Sequence, residues 1–411
     1  MELRKKSCYL GIDLNDTAAM VSYYQLNMKE PETVSTIAGS DHFQIPVLLA
    51  KRKNLGQWYY GDEARRMAKS CEMVCIDALL RRAVNKECIR IEDETYSAVD
   101  LLTLFFRKII DLATKAGNFS EVTKLVVSVD KLTRENMDVF WQLAGKLGFS
   151  TNQFMVIDHK ESFYYFALNQ DEQLYIHDVF LFEGEGNDIH YYELKRNVHT
   201  TPMVVTIGES SRFQIENAKD AEFLSLLQRA FENRIISSVY LLGDAFDGEW
   251  MNQSLTYLCR GRRAFVGKNL YSKGACYAAY ARDHEEEWRY IYIGENEMKF
   301  NLSLKVRSAG EIAFYTLISA GKNWFETKGQ CEVILAGDAQ IDFWKQLPNS
   351  REAKIESLEL TDLPKRPNKT TRLRIIASPV SDDKIEIEIV DLGFGEIYRG
   401  TEKHWKYTMS I

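Results

Sequence analysis

The sequence lacks the features that mark several common functional classes. Its seven cysteines are scattered, with no C-x-x-C or H-x-x-x-H spacing, which argues against a zinc site and favours reduced thiols. No apolar run approaches the roughly 18 residues that a membrane span needs, and the first residues contain no signal-peptide apolar region. The net charge of −7 leaves no basic stripe that could neutralise phosphates. We therefore expect a cytoplasmic protein with no membrane partner and no nucleic-acid partner.

What the sequence does contain is enough apolar material for more than one domain. Its 411 residues, 45% of them hydrophobic, suffice for two or three well-buried cores. Ser97 precedes an apolar helical period that reaches residue 116, and Thr133 precedes another that ends before Gly148, so both are predicted to be N-capped helices. Residues 124–129 form a continuous apolar run, which is typical of a buried parallel strand. Helix and strand signals thus alternate through the first 286 residues.

From residue 288 onwards the sequence changes to short alternating runs with almost no helical period. Turn residues separate the runs, a pattern that predicts a β-sandwich-like module. The runs are 289–293, 299–306, 332–335, 357–360, 372–377 and 384–390. We therefore predict three domains, at 1–175, 176–286 and 287–411.

Two glycine-acid turns stand out before residue 287. The first ends the run Y-L-G-I-D-L-N-D-T at 9–17, and the second ends V-F-L-F-E-G-E-G-N-D at 179–188. In each, an apolar strand-like run leads into a turn whose bare N–H groups lie beside a carboxylate. Turns of this kind cradle phosphates and hold a hydrated Mg²⁺ ion. Two of them predict a two-lobed nucleotide clamp.

These segments resemble the seventy-kilodalton heat-shock chaperone family, within the actin/hexokinase superfold. The first turn is similar to that family's G-I-D-L-G-T-T, and the second matches the position of its L-V-F-D-L-G-G-G-T. The segment V-Y-L-L-G-D-A-F resembles the adenosine turn V-V-L-V-G-G-S-S, and S-L-E-L-T-D-L-P-K-R-P resembles part of the peptide-binding β-sandwich. The resemblance runs in order through nearly the whole chain, without the helical lid. It implies a two-lobed ATPase domain with ribonuclease H-like lobes, lobe I at 1–175 and a reduced lobe II at 176–286, before the β-sandwich.

The resemblance also implies a nucleotide site built on three turns. The cofactor would be ATP with Mg²⁺, and Asp13 and Glu185 would hold the metal and its water. The cofactor-binding residues would be Gly11, Asp13, Asn15, Thr17, Gly184, Glu185, Gly186, Asn187, Gly243 and Asp244. A cation site without nucleotide is an alternative, formed by Asp13, Asp16, Glu185 and Asp188.

Departures from the family pattern weaken the expectation of a working ATPase. Asn15 and Asp16 replace the Gly and Thr of the first turn, and Asp16 would bring a like charge toward the phosphates. The family's catalytic Glu aligns with His159, and its phosphate-contacting Lys falls near 78–79, where this chain has no Lys. The subdomain that carries the adenine-contacting residues is nearly deleted, because a predicted helix at Asp220 follows the second turn so closely.

We therefore expect a chaperone-like protein that binds a polypeptide partner with little or no ATP hydrolysis. Two alternatives stay open: an ATP-dependent chaperone with altered nucleotide contacts, and an actin-like scaffold subunit. In the C-terminal module, a few large apolar residues that we expect to be exposed either contact the partner or pack within the module. They are Trp324, Phe325, Phe343 and Trp344.

Overall fold

The computed structural model describes residues 8–37, 40–53, 55–69, 72–216, 218–401 and 403–411. Helices and strands occur together up to residue 288, and the described residues after it form strands alone, which confirms the predicted mixed α/β class. The chain forms two compact units. The larger combines the described residues up to 195 with 207–288, and the smaller combines 196–206 with those of 289–411.

The first sheet of the larger unit carries the first glycine-acid turn at the end of its central strand. The elements up to residue 175 are β1 (Cys8–Leu14), β2 (Ala18–Gln25), β3 (Glu32–Thr33), β4 (Ile45–Pro46), β5 (Leu49–Arg52), β6 (Trp58–Tyr60), α1 (Gly61–Met67), β7 (Met73–Ile76), α2 (Leu79–Val84), β8 (Cys88–Ile91), β9 (Glu94–Ser97), α3 (Ala98–Gly117), β10 (Lys124–Val129), α4 (Arg134–Leu147), β11 (Phe154–Asp158) and α5 (His159–Leu168). The sheet order is β11-β10-β1-β2-β3, with β4 also on β2.

Parallel strands bring polar residues together at one edge of this sheet. β1, β10 and β11 run parallel, with Asp13 beside Ser128 and Val129 beside Asp158. Because the carboxyl ends of parallel strands meet at the same edge, Asp13, Asp158 and the following His159 lie there together. This is the edge at which open α/β sheets usually bind ligands.

Local capping explains the two long helices of this part. Ser97 accepts a hydrogen bond from the N–H of Asp100 at the start of α3, and Thr133 accepts one from Asn136 at the start of α4. Gly148 ends α4 with a left-handed φ of 85°, a conformation that glycine adopts without strain. Both predicted helices are therefore confirmed, including the residues that begin them.

A second sheet in the larger unit carries the second glycine-acid turn. The elements between 176 and 288 are β12 (Asp178–Glu185), β13 (Asp188–Asn197), β14 (Met203–Glu209), β15 (Phe213–Gln214), α6 (Lys219–Ala230), β16 (Ile236–Leu242), α7 (Asn252–Leu258), β17 (Arg263–Gly267) and α8 (Leu270–Asp283). β12 forms a hairpin with β13 and runs parallel to β16, which runs parallel to β17. The core between this sheet and α6 is aromatic, with Phe182 edge-on to Phe223 at 5.6 Å between ring centroids.

Helix α8 packs directly on the first sheet at Gly11. A Cβ at this position would lie 2.1 Å from the carbonyl oxygen of Ser272 and 2.4 Å from the backbone nitrogen of Cys276. Real Cβ atoms do not approach backbone atoms this closely, so only glycine fits. Gly11 is thus required by the packing of a helix on a strand.

The smaller unit consists of two sheets around one apolar core. Its strands after residue 288 are β18 (Tyr290–Tyr292), β19 (Asn301–Ser308), β20 (Glu311–Ile318), β21 (Gly329–Ile334), β22 (Gln340–Gln346), β23 (Ala353–Glu359), β24 (Arg372–Pro379), β25 (Lys384–Phe394), β26 (Tyr398–Arg399) and β27 (His404–Ser410). One sheet has the order β20-β19-β22-β23 and the other β21-β24-β25-β26, with β27 also on β25. Leu302 and Phe343 from the first and Ile375 and Ile387 from the second share the core. Residues 203–205 of β14 pair in parallel with β18.

The four apolar residues considered for partner contact have different environments. Phe343 is fully buried in the core, so its expected exposure was wrong. Trp324 and Phe325 are half-buried and stack at 3.9 Å between ring centroids. Trp344 is half-buried on the opposite face of its strand from Phe343. No helix in the described ranges has the length and apolarity needed to cross a bilayer.

Candidate functional site

The first glycine-acid turn uses its backbone donors internally. The side-chain oxygen of Asn15 accepts hydrogen bonds from the N–H groups of Thr17 at 2.9 Å and Ala18 at 2.8 Å. The Thr17 hydroxyl also donates to this oxygen at 2.9 Å, and the N–H of Asn15 donates to the carbonyl of Ala18 at 3.0 Å. An Asn at this position closes the turn on itself, as Asx turns do. These N–H groups are therefore not directed at an external anion.

Asp16 caps a helix instead of facing a phosphate. Its Oδ1 accepts the backbone N–H of Arg81 at 3.0 Å, and its Oδ2 lies 3.8 Å from the Arg81 Nε. Arg81 lies in the first turn of α2, whose N-cap residue Ala78 has a left-handed φ of 50° and no side-chain cap of its own. A carboxylate is favourable beside the free N–H groups of a helix start. Arg81, two residues beyond the position of the missing Lys, is thus engaged by Asp16.

Asp13 forms a nearly buried pair with His159. The Asp13 Oδ1 lies 2.9 Å from the His159 Nε2, and the two side chains are only 10% and 12% exposed. The His159 ring stacks on Tyr271 of α8 at 3.8 Å between centroids and 8° between planes. Burial lowers the pKa of His159, but the charge and hydrogen bond of Asp13, together with Glu183, raise the pKa overall. The carboxylate assigned by the resemblance to Mg²⁺ thus faces an imidazole that favours its protonated form.

Glu183 continues this network into the second sheet. It lies 3.3 Å from the Nε2 of His190 and accepts a hydrogen bond from the Tyr271 hydroxyl at 3.2 Å. Burial by itself raises the pKa of Glu183, but the bond from His190 and the charge of His159 lower it overall. Asp13, His159, Tyr271, Glu183 and His190 therefore form one continuous polar layer in which acids alternate with histidines. The two histidines thus give both carboxylates hydrogen-bonding partners from within the protein.

The second glycine-acid turn is a tight hairpin closed by a carboxylate from elsewhere. Glu185 pairs with Asp188 across a two-residue turn, in which Gly186 has a φ of +61° and Asn187 is exposed. The N–H of Gly186 donates to the Oδ1 of Asp244 at 3.0 Å. The carbonyl of Asn187 accepts the N–H of Ile215 at 2.9 Å. An internal carboxylate therefore occupies the donor that a phosphate would need.

The third turn, at Gly243 and Asp244 after β16, is fixed by a close contact between two backbone segments. Gly243 has a φ of +108°, and a Cβ there would lie 2.0 Å from the carbonyl oxygen of Gly184. A Cβ at Gly184 would in turn lie 2.6 Å from the Cβ of Ala245. Both glycines are thus required by the meeting of β12 with the turn after β16.

The geometry around the three turns does not fit a bound nucleotide and its metal. Side chains of Asn15 and Asp244 occupy backbone donors in the turns, and Asp16 is bound to α2. Glu185 is exposed on the hairpin, whereas Asp13 is buried against His159. Among the residues that the structure describes, no three His, Cys, Asp or Glu side chains are grouped as metal ligands. The assignment of Asp13 and Glu185 as Mg²⁺ ligands therefore rests on the resemblance alone.

Sequence reasoning located the turns but missed the groups that fill them. Asp13 and His159 were each singled out, yet their pairing across 146 positions has no signal in the sequence. Tyr271 has no distinguishing signal in the sequence, because an aromatic residue near the start of a helix is typical of a core. The available signals are the altered turn residues themselves, Asn15, Asp16 and Asp244.

Comparison of the sequence with those of known proteins shows which family the chain belongs to. No curated protein matches it closely enough to be called similar. A domain of unknown function, DUF8552, matches residues 297–411. The family of unknown function DUF5716, in its C-terminal part, matches residues 30–295, which is more than half of the chain. The protein therefore belongs to the DUF5716 family.

Proposed function

We propose that this protein is a cytoplasmic, chaperone-like protein that binds a polypeptide partner without efficient ATP hydrolysis. In this proposal the larger unit is an actin/heat-shock-type two-lobed domain and the smaller unit is a β-sandwich. The supporting observation is that side chains of the protein itself occupy donors in its phosphate-type turns. Asn15 takes two N–H groups of the first turn, and Asp244 takes one of the second.

Electrostatics supports the same conclusion. Phosphoryl transfer in this type of cleft depends on positioning and on neutralising the phosphate charge. A triphosphate at the turns would have to displace Asp244 from Gly186 while remaining close to Asp16. Two like charges about 4 Å apart cost on the order of 4 kcal/mol at an effective dielectric constant of about 20. Arg81, a nearby cation, already has Asp16 as its counter-ion.

An exposed apolar face on the smaller unit supports a polypeptide partner. On the outward face of the four-stranded sheet, Trp344 of β22 lies beside Ile355 of β23. Ile355 is 53% exposed, and Trp344 meets Phe314 of β20 at 5.0 Å between ring centroids. Contiguous apolar residues on the surface of a folded unit mark interaction sites more often than isolated ones do.

Calorimetric titration with ATP, ADP and Mg²⁺ tests the nucleotide part of the proposal. We expect no binding heat and no turnover for the wild-type protein. Measurable Mg-ATP turnover that Asp13→Ala abolishes would overturn the proposal in favour of an ATP-dependent chaperone. Nucleotide-induced thermal stabilisation would point the same way, since a ligand that binds only the folded state raises its Tm.

Fluorescence anisotropy with a permanently unfolded polypeptide, reduced and carboxymethylated lactalbumin, tests the partner part. We expect Ile355→Glu to weaken binding at least fivefold, because it places a charge in the apolar face. Ile334→Glu is a matched control, since Ile334 is 52% exposed on a strand of the other sheet. Equal losses in both variants, or no binding by the wild type, would contradict the assignment of this face.

A further inference from the structure

The hairpin of β19 and β20 extends beyond the rest of its sheet. β22 pairs with β19 only from Asn301 to Leu304, whereas β19 and β20 stay paired as far as Ser308 and Glu311. A two-residue turn joins them, with φ values of 52° at Ala309 and 91° at Gly310. The residues from 305 to 316 are exposed except for the half-buried Val306. We call these residues the arm.

One edge of the arm is free. In the described part of the chain, β20 pairs with β19 and with no other strand. Residues of an antiparallel pair point their N–H and C=O groups alternately toward and away from the partner strand. Since Ser308 and Glu311 flank the two-residue turn, they are hydrogen-bonded to each other. The residues whose backbone N–H and C=O groups point away from β19, toward the free edge, are therefore Ile312, Phe314 and Thr316.

This free edge has none of the usual protection against strand pairing. Exposed edge strands generally carry lysines, prolines or bulges that prevent association. From 311 to 316 the strand has one charge, Glu311, at its end, and its only irregularity lies beyond Thr316. Ile312, Phe314 and Tyr315 are 61%, 56% and 46% exposed. An apolar edge of this kind, with a single charge at its end, is expected to be covered by another strand.

We infer that β20 pairs antiparallel with β20 of a second copy of this chain about a two-fold axis. A two-fold axis perpendicular to the sheet keeps each face of the sheet continuous across the two copies. Two residues that oppose one another must then both have even numbers or both have odd numbers. Centred on Phe314, the pairing sets Phe314 against its own copy and Ile312 against Thr316. Glu311 then lies opposite Leu317, so no like charges meet. The strand can therefore pair with its own copy: the backbones run antiparallel, opposing side chains lie on the same face of the sheet, and no like charges are opposite each other.

The exposed area sets the expected strength of this dimer. The exposed fractions of Ile312, Phe314 and Tyr315 amount to roughly 330 Å² on each copy, if each side chain offers about 200 Å². The total of roughly 650 Å² is below the ~1,200 Å² of standard interfaces, so the dimer is weak and depends on concentration. The net charge of −7 opposes association, and added salt should therefore strengthen it. This inference does not depend on the proposed function.

Sedimentation velocity between 1 and 300 μM, at low and high salt, tests the inference. We expect the wild-type protein to pass from monomer to dimer and to stop there. Phe314→Glu should stay monomeric at every concentration, because the two copies would place like charges together. Its own arm stays paired, since residue 314 faces Lys305 across the hairpin. Ile334→Glu, which places a glutamate at a similarly exposed residue of the other sheet, should dimerise like the wild type.

Hydrogen exchange separates loss of the dimer from loss of the fold. In the dimer the amides of Ile312, Phe314 and Thr316 should be protected, and on dilution they alone should exchange faster. The milder Phe314→Thr keeps a strand-forming residue and should weaken the dimer at least tenfold without altering the exchange of the core. A wild-type protein that stays monomeric at 300 μM, a dimer that survives Phe314→Glu, or assembly beyond the dimer would each overturn the inference.

Discussion

Replacing Asp13 by Asn should remove a specific pH dependence from the stability of the larger unit. The pKa of His159 is raised in the folded protein, because Asp13 and Glu183 outweigh the effect of burial. A histidine whose pKa is raised on folding contributes its full stabilisation at pH values below its unfolded pKa of about 6.5. This stabilisation is lost as the pH rises through the pKa of the folded state. The wild-type protein should therefore lose stability from about pH 6.5 upwards. Asp13→Asn should show a flatter profile in that window.

The size of the effect follows from the geometry of the pair. The 2.9 Å contact joins two side chains that are 10% and 12% exposed, so solvent screens it little. A hydrogen bond that involves a charged group contributes about 1.5–3 kcal/mol to stability. We therefore expect Asp13→Asn to lose about 2 kcal/mol at pH 6 and clearly less at pH 9. For a unit of this size, 2 kcal/mol corresponds to a fall in Tm of about 4 °C.

Thermal unfolding followed by near-ultraviolet circular dichroism at pH 6 and pH 9 measures this difference. Glu185→Gln is the matched control, since it removes an exposed carboxylate from the other turn and should leave the pH profile unchanged. Parallel profiles for the wild type and Asp13→Asn would refute the reasoning about the pair. A rise in the wild-type Tm on adding Mg²⁺, absent in Asp13→Asn, would show that Asp13 is a metal ligand as the resemblance implied.

Three further substitutions test how the fold is held together. The guanidinium of Arg366 is 6% exposed and lies 2.7 Å from the carboxylate of Asp391. Asp391→Ala should destabilise the smaller unit by about 3–5 kcal/mol in urea unfolding, because it leaves this guanidinium buried without its partner. Burial alone raises the pKa of Asp391, but Arg366 holds this pKa below its usual range, so the stability should be lost progressively as the pH falls from about 4 toward the lowered pKa of the folded state. Gly11→Val should leave little soluble protein on expression, because its Cβ would lie 2.1 Å from the Ser272 carbonyl. Gly145→Ala, inside α4 with nothing within 4 Å of the new Cβ, should instead raise stability by about 0.5–1 kcal/mol in the same urea assay.

Much of the secondary structure could be predicted because its signals are local. Ser97 and Thr133 begin α3 and α4 as expected, since a cap and an apolar period lie within one stretch of sequence. β20 was missed because it is exposed on both faces from 311 to 316, so its sequence does not alternate between polar and apolar residues. The burial of Phe343 could not be predicted, because its neighbour Trp344 is also apolar and nothing in the sequence says which of them faces the core.

The hydrogen bonds that close the turns of the candidate site are likewise either local, and predictable, or long-range, and not predictable. Asn15 closes its turn through neighbours two and three residues away, and a residue of this type at that position is itself a turn signal. The bonds of Asp16 to Arg81 and of Asp244 to Gly186 span 65 and 58 positions. Their partners depend on how strands and helices are packed, which no local pattern encodes.

The sequence by itself determined the α/β class, the two capped helices and the positions of the glycine-acid turns, because each depends on contacts within a few residues. Only the tertiary structure decided what those turns bind. It placed carboxylates of the protein on backbone donors at α2 and at the second turn, and it set His159 against Asp13. Within the part of the chain that the structure describes, it also left one edge of β20 unpaired, since an edge strand differs from a central one only in its neighbours.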